Sequence, residues 1–298
     1  MTDPSSRLVG LIAAIVAPLG WGLTGILIRS LDSYDALLIV TGRLLVAFLV
    51  LGAILLVRRT QGDASGWRIA VAMSAYYVLA TEAFLRAPVV EVTLVVGAAP
   101  LVAVLLDLLR GIRPGTLQVA ALVVTGVGFA LFLAPGTHGA SNHGLGDLYA
   151  LGAAITSALY VIGIKRQVQR GLRPDPVMLA TTACGVGALA SAVIAVLTGA
   201  VATAPVPTPT DILFDLALGS VATALPTLAF GIASSKLPAV VTTSLALLTP
   251  VFSGVFAGLA LGEWPKPVAV PGILLILAGL VLMLLAPARS PNRGARST

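Results

Sequence analysis

Charge is scarce in this chain. Only 10% of its 298 residues are Asp, Glu, Lys or Arg, against 58% hydrophobic residues, and the mean hydropathy is +1.03. A soluble domain carries about 25% charged residues and could not bury this much apolar surface in one core, so a water-soluble globular protein is excluded and lipid becomes the main solvent. Cysteine is nearly missing too. The one that is present, Cys184, rules out an internal disulfide framework, and its small-residue setting TTACGVGALA reads as close helix packing. The two histidines, His138 and His143, flank GASN in a loop and are too few for a metal site, so neither a metal nor a cofactor is expected. The formal charge is +6, yet no basic block interleaved with aromatics occurs, which argues against a nucleic-acid partner. No nucleophile and base converge at one depth, so the chain does not read as an enzyme.

What the chain has is apolar runs of spanning length. A helix crosses the hydrocarbon with ~20 apolar residues, and on that scale the sequence divides near 8–29, 35–57, 67–86, 88–109, 116–134, 146–164, 175–199, 211–234, 238–261 and 266–286. The first run is too long for a signal-peptide core and no small-residue cleavage site follows, so it reads as a retained helix. Placing the N-terminus inside puts fourteen Lys and Arg residues on the inner side and three, Arg29, Arg86 and Lys266, on the outer, with Arg43 inside a span. Positively charged loops stay cytoplasmic, so both termini are expected there and the number of spans is even.

Two stretches share a design. APVVEVTLVVGAAP at 87–100 and LPAVVTTSLALLTP at 237–250 overlay with an offset of 150, matching Pro88 with Pro238, Thr93 with Thr243 and Pro100 with Pro250. The same offset maps spans three to five onto eight to ten and sets Arg113 against Glu263. Five is odd, so the halves would enter the membrane in opposite directions, and equivalent loops would differ in charge as these do. The predicted fold is therefore all-α integral membrane, ten transmembrane helices as two inverted five-helix repeats at 1–140 and 141–298. Inverted repeats build secondary transporters, with the substrate site at the midplane where helices are broken.

Proline marks the expected breaks. Pro100 and Pro250 lie about 18 Å into their spans, just past the midplane, and Pro18 and Pro226 interrupt spans one and eight. Each removes a backbone hydrogen bond and should bend its helix. Thr93, Gly97 and Pro100 share one face, as do Thr243, Leu247 and Pro250, and these paired faces are expected to line and gate the pathway. Around them the candidate substrate contacts are Trp21 and Thr24 in span one, with Tyr76, Tyr77 and Thr81 in span three. Tyr160 in span six, Phe230 in span eight, and Thr243 and Ser244 in span nine complete the set. Aromatics with hydroxyls are poor lipid-facing residues and good walls for an amphipathic ligand, though ordinary helix packing uses them too.

Charges inside apolar segments carry a cost of ~2.5–3.5 kcal/mol at the bilayer centre and should be paired or face inward. Glu82 can pair with Arg86 one turn on, and Glu91 sits in the first turn after Pro88, where the helix dipole favours a carboxylate. Asp107 lies near Arg110. Arg43 has no local partner and is expected to reach Glu82 or Glu91 as a brace, so Arg43, Glu82, Glu91 and Glu263 are taken as structural charges. A coupled proton on Glu82 or Glu91 is the competing idea, weakened by Ile232 and Val241 at the matching positions.

Trp21-Gly22, Arg43 and the block LLTPVFSGVFAGLALGEW at 247–264, followed by Gly272 and Gly279, resemble the drug/metabolite transporter superfamily, specifically its ten-helix EamA-type members. Arg113, where the first half lacks the acidic residue of LGE, departs from that pattern. The resemblance implies export of small metabolites across the bacterial cytoplasmic (inner) membrane through a cavity made by spans one, three, four, six, eight and nine. Within the group the chain looks most like YddG-type exporters of aromatic and other amino acids. A neutral or aromatic amino acid is thus the expected substrate, lipophilic cationic drugs the alternative if a carboxylate such as Glu82 lines the cavity, and a nucleotide sugar or sugar phosphate is disfavoured by the lack of a cation cluster. The lipid bilayer is the other expected partner, and a monomer is expected, with a dimer left open.

Overall fold

The computed structural model describes residues 4–58, 67–109, 111, 114–132, 144–172, 175–237 and 239–285, and among these no strand occurs. The side chains of residues 4–6, 67, 68, 165, 168, 239, 240, 243 and 244 lie outside the description. Fourteen α-helices follow in order: α1 (Pro4–Gly22), α2 (Thr24–Arg29), α3 (Ala36–Arg58), α4 (Trp67–Arg86), α5 (Val89–Gly97), α6 (Ala99–Leu109), α7 (Thr116–Phe132), α8 (Gly144–Gln169), α9 (Pro176–Leu197), α10 (Pro209–Gly219), α11 (Leu225–Lys236), α12 (Ala239–Ala246), α13 (Leu248–Leu261) and α14 (Val270–Leu285). A π-helical turn, Ser220–Ala224, joins α10 to α11, and a 3-10 turn, Pro267–Ala269, precedes α14.

Among the described residues seven helical runs are long and apolar enough to cross a bilayer, and the pair α5–α6, bent by 40°, makes an eighth if it is one span. The remaining two predicted spans coincide with shorter apolar helices. With 17 residues α7 extends about 26 Å, slightly less than a hydrocarbon core of about 30 Å, and α13 has 14 residues, preceded by the 8 of α12. The outer surface is apolar in the way lipid requires: Leu56, Val57, Leu109 and Leu197 are each at least 80% exposed, a pattern soluble monomers avoid.

Without a hydrophobic force between helices in lipid, packing rests on small residues that let backbones close up. The α7–α14 pair shows this: a Cβ on Gly272 would stand 2.7 Å from the Phe132 nitrogen and 2.8 Å from the Gly128 carbonyl oxygen, and one on Gly279 would collide with Thr125. Both glycines belong to the tail of the sequence block that carried the family resemblance.

The most extensive helix pairs are α7 with α14, α4 with α8, α3 with α9 and α1 with α11, and α5 packs on α13. Every one of them joins a helix before residue 134 to one after residue 144. On the division expected from the sequence, the α4–α8 pair would become α11–α1 when the halves are exchanged.

Candidate functional site

Four helical runs are interrupted, at Leu23, Ala98, the 220–224 turn and Leu247. The breaks at Ala98 and Leu247 correspond across the 150-residue offset to within one position, as their prolines predict. Pro226 explains the third. Lacking an N–H, it leaves the carbonyl of Ala222 without its helical donor, and the Thr24 hydroxyl donates to that carbonyl across a 3.5 Å contact. Thr249 does the same near Pro250, donating to the carbonyl of Ala246 at 2.8 Å. Both orphaned acceptors are therefore met by threonine hydroxyls.

Pro18 behaves differently from expectation. Helix α1 runs through it to Gly22, and the interruption comes at Leu23. Here span one touches three neighbours through glycine: a Cβ on Gly20 would lie 2.8 Å from the Val221 carbonyl oxygen, one on Gly22 would lie 2.9 Å from Phe252, and one on Gly25 would lie 2.5 Å from Val89. The two symmetric prolines also differ in surroundings. Pro250 is buried whereas Pro100 is exposed, so the bend at Ala98 turns Pro100 away from the face shared by the buried Thr93. That threonine spends its hydroxyl inside its own helix, donating to Val89 and Val90 carbonyls at 2.8 and 3.0 Å.

The predicted contact residues gather in two groups. Trp21 and Phe230, both half-buried, stand with ring centroids 5.5 Å apart at a tilt of 48°. Tyr76 and Tyr77 meet edge to face at 5.3 Å, and Tyr160 and Cys184 are electrostatic neighbours of Tyr77. Thr81 is fully buried and its hydroxyl oxygen has no hydrogen-bond partner among the described residues. Thr243 and Ser244 belong to α12, but their side chains lie outside the described ones, as do His138, His143, Arg113 and Pro238 altogether.

Arg43 takes partners the sequence did not suggest. It reaches neither Glu82 nor Glu91. Its side chain, 3% exposed, donates from Nε to the Thr223 hydroxyl at 2.7 Å and lays its guanidinium over the Tyr77 ring at 4.8 Å. Thr223 in turn donates to the carbonyl of Leu218 at 2.7 Å, five residues back, so arginine and threonine together stitch the π-helical turn. A cation settled on a ring face and a hydroxyl is a low-cost way to bury a guanidinium. Glu82 is ion-paired with Arg86, as expected, and Arg86 also lies 5.2 Å over the Tyr149 ring. Glu91 is buried in the first turn of α5, beside the carboxylate of Asp147 in α8.

Glu263 has the most specific role of the four charges. Its Oε1 accepts from Arg29 Nη2 at 3.0 Å, and its Oε2 accepts from the backbone N–H of Val89 at 2.9 Å. Arg29 Nη2 also donates to the Ala87 carbonyl at 3.2 Å. Since Pro88 offers α5 no side-chain cap, the carboxylate of a distant loop fills that place and meets the positive end of the helix.

Comparison with known proteins agrees with this architecture. The model of the EamA-like transporter family matches residues 8–134 and again 144–285. A solved crystal structure, titled only as that of a protein, is similar over 96% of this chain and 98% of its own, with 21% identity and a TM-score of 0.63, a likeness of fold. No curated protein matches the chain.

Proposed function

The chain belongs to the EamA-like transporter family, and we propose that it exports neutral and aromatic amino acids by alternating access between two inverted five-helix halves. Ten crossings, both termini in the cytoplasm, halves at 1–140 and 141–298 and a bacterial cytoplasmic membrane complete the reading. It is supported first by the helix pairing: every principal contact joins one half to the other, so a rocking of the halves would remodel all of them together. The family matches on either side of residue 140 fit the same division.

The observation that carries the substrate class is the aromatic pair beside the broken helix of span one. Trp21, two residues before the interruption of span one, meets Phe230 of span eight, and both are only half-buried, which suits a ligand with an apolar or aromatic side chain. Glu82, the carboxylate that would have favoured lipophilic cations in this pathway, is engaged by Arg86. Purified protein in liposomes, loaded with a panel of labelled amino acids and run with and without a pH gradient, tests the proposal. Saturable flux of aromatic amino acids above that of empty vesicles is expected; no flux for any amino acid would overturn it.

A further inference from the structure

A second site lies outside that pathway. Between α3 and α10 is a cavity of about 370 Å³ whose walls include Leu38, Ile39, Ile212 and Leu216, with Tyr34, Asp211 and Asp215 as its polar groups. None of the residues assigned to the pathway lines it. Its volume falls at the lower end of small-ligand pockets, roughly 300–1,000 Å³.

The two acids differ. One oxygen of Asp211 is fully engaged: Oδ2 accepts from the Thr208 N–H at 2.9 Å, the Thr208 hydroxyl at 2.8 Å and the Tyr34 hydroxyl at 2.9 Å. Asp215, one turn deeper along α10, makes no hydrogen bond or ion pair among the described residues, and its Oδ1 is shut off from solvent. The carboxylate rests directly on the α3 backbone at Gly42, where any Cβ would collide with both oxygens. The next residue, Arg43, attracts it electrostatically but forms no ion pair with it, for the guanidinium is turned to Thr223 and Tyr77.

Attraction from Arg43 compensates this carboxylate only in part, which is unfavourable beside apolar walls, and a ligand that brings a positive charge directly to it removes the remaining penalty. An inorganic cation would need several oxygen ligands, and Asp215 is the one carboxylate lining this cavity that makes no hydrogen bond among the described residues. A compound joining an ammonium to an apolar body satisfies both features, whereas an anion is repelled and a neutral amphiphile gains the apolar part alone. We propose that the α3–α10 cavity binds a lipophilic ammonium compound, with the cation on Asp215 and the apolar body against Leu38, Ile39, Ile212 and Leu216.

The test uses the full chain in nanodiscs of phosphatidylglycerol, with radiolabelled benzyltriethylammonium as probe. One saturable site per chain is expected. Asp215→Asn should weaken it about 10-fold to 100-fold, the range of a hydrogen bond or ion contact to a charged group, and an uncharged aromatic hydrocarbon of the same size should not compete. Leu38→Trp, which fills the cavity and leaves the carboxylate in place, should abolish binding, and it decides the matter if Asp215→Asn does not fold. Nanodiscs containing phosphatidylethanolamine form a second arm. Loss of probe binding there identifies a lipid amine as the occupant, and unchanged binding identifies a free amine. Absence of saturable binding, or full affinity in both Asp215→Asn and Leu38→Trp, overturns the proposal. Because binding is read without flux, this result is independent of whether amino acids are transported.

Discussion

Arg29 and Glu263, 234 residues apart, close on each other at 3.0 Å and lock the end of α2 to the start of α5 and the loop after α13. Both side chains are about one quarter exposed, so solvent screens the pair only in part. The contact joins parts of spans one, four and nine at one end of the bundle. If the protein works by the alternating access proposed above, this three-way contact would break whenever that end parts.

Glu263→Gln and Glu263→Ala should therefore separate the two jobs of the carboxylate. Gln keeps an oxygen for the Val89 N–H and loses the charge, while Ala loses both. Thermal unfolding of the purified protein should show a cost for Ala that exceeds that for Gln by about 1 kcal/mol, the usual worth of one helix cap. A double-mutant cycle with Arg29→Ala should return a coupling of about 0.5–3 kcal/mol. Additive losses would show that the ion pair contributes nothing.

The π-helical turn rests on Thr223. Thr223→Val keeps the shape but removes both the acceptor for Arg43 Nε and the donor to Leu218. Leaving a buried guanidinium N–H and a carbonyl without partners should cost about 1–3 kcal/mol for each group. Thr223→Ser should hold near wild-type stability. Arg43→Lys should not rescue the turn, since an ammonium lacks the planar face that stacks on Tyr77. Equal unfolding temperatures for the Val and Ser variants would show that the network is idle.

Much of the architecture was legible in the sequence because lipid imposes length and composition together. Each predicted span coincides with helix, and Pro100 and Pro250 announced the breaks at Ala98 and Leu247. Other features depend on which helices meet, and that is a tertiary matter. Pro226 signals an orphaned carbonyl but not the π turn, which forms because Thr24 and Arg43 arrive from other helices to serve it. Arg43 was expected to seek a carboxylate because buried charges usually pair; a ring face and a hydroxyl satisfied it first. Arg29 and Glu263 were readable as opposite charges in loops on one side, but nothing local says that those loops adjoin. Asp215 had a signal of the kind noticed for Glu82, an acid inside the apolar run DILFDLALG.

The α7–α14 contact predicts a steric failure without any loss of charge or hydrogen bonding. Gly279 faces Thr125 and the Ala121 carbonyl with no room for a methyl group, so Gly279→Val should force these helices apart and lower the yield of monodisperse protein. Gly126 has nothing within reach of an added Cβ, and Gly126→Ala on the same pair of helices should be tolerated, even slightly stabilising, since alanine favours a helix by about 1 kcal/mol over glycine. Size-exclusion profiles of the two variants give the comparison.

Pro250→Ala tests the break at Leu247. Restoring an N–H lets residue 250 bond the Ala246 carbonyl, for which the Thr249 hydroxyl now donates, and so favours one continuous helix across Leu247. If that break is a flexing joint of the proposed pathway, closing it should slow turnover more than it harms insertion, because the segment stays apolar and helical. Pro100→Ala should have the smaller effect of the two, since Pro100 is exposed and Pro250 is buried against neighbouring helices. Initial flux in proteoliposomes, normalised to the amount of inserted protein, reads both variants. If Pro250→Ala matches wild type per molecule inserted, the break at Leu247 is a packing detail and the moving joint lies elsewhere.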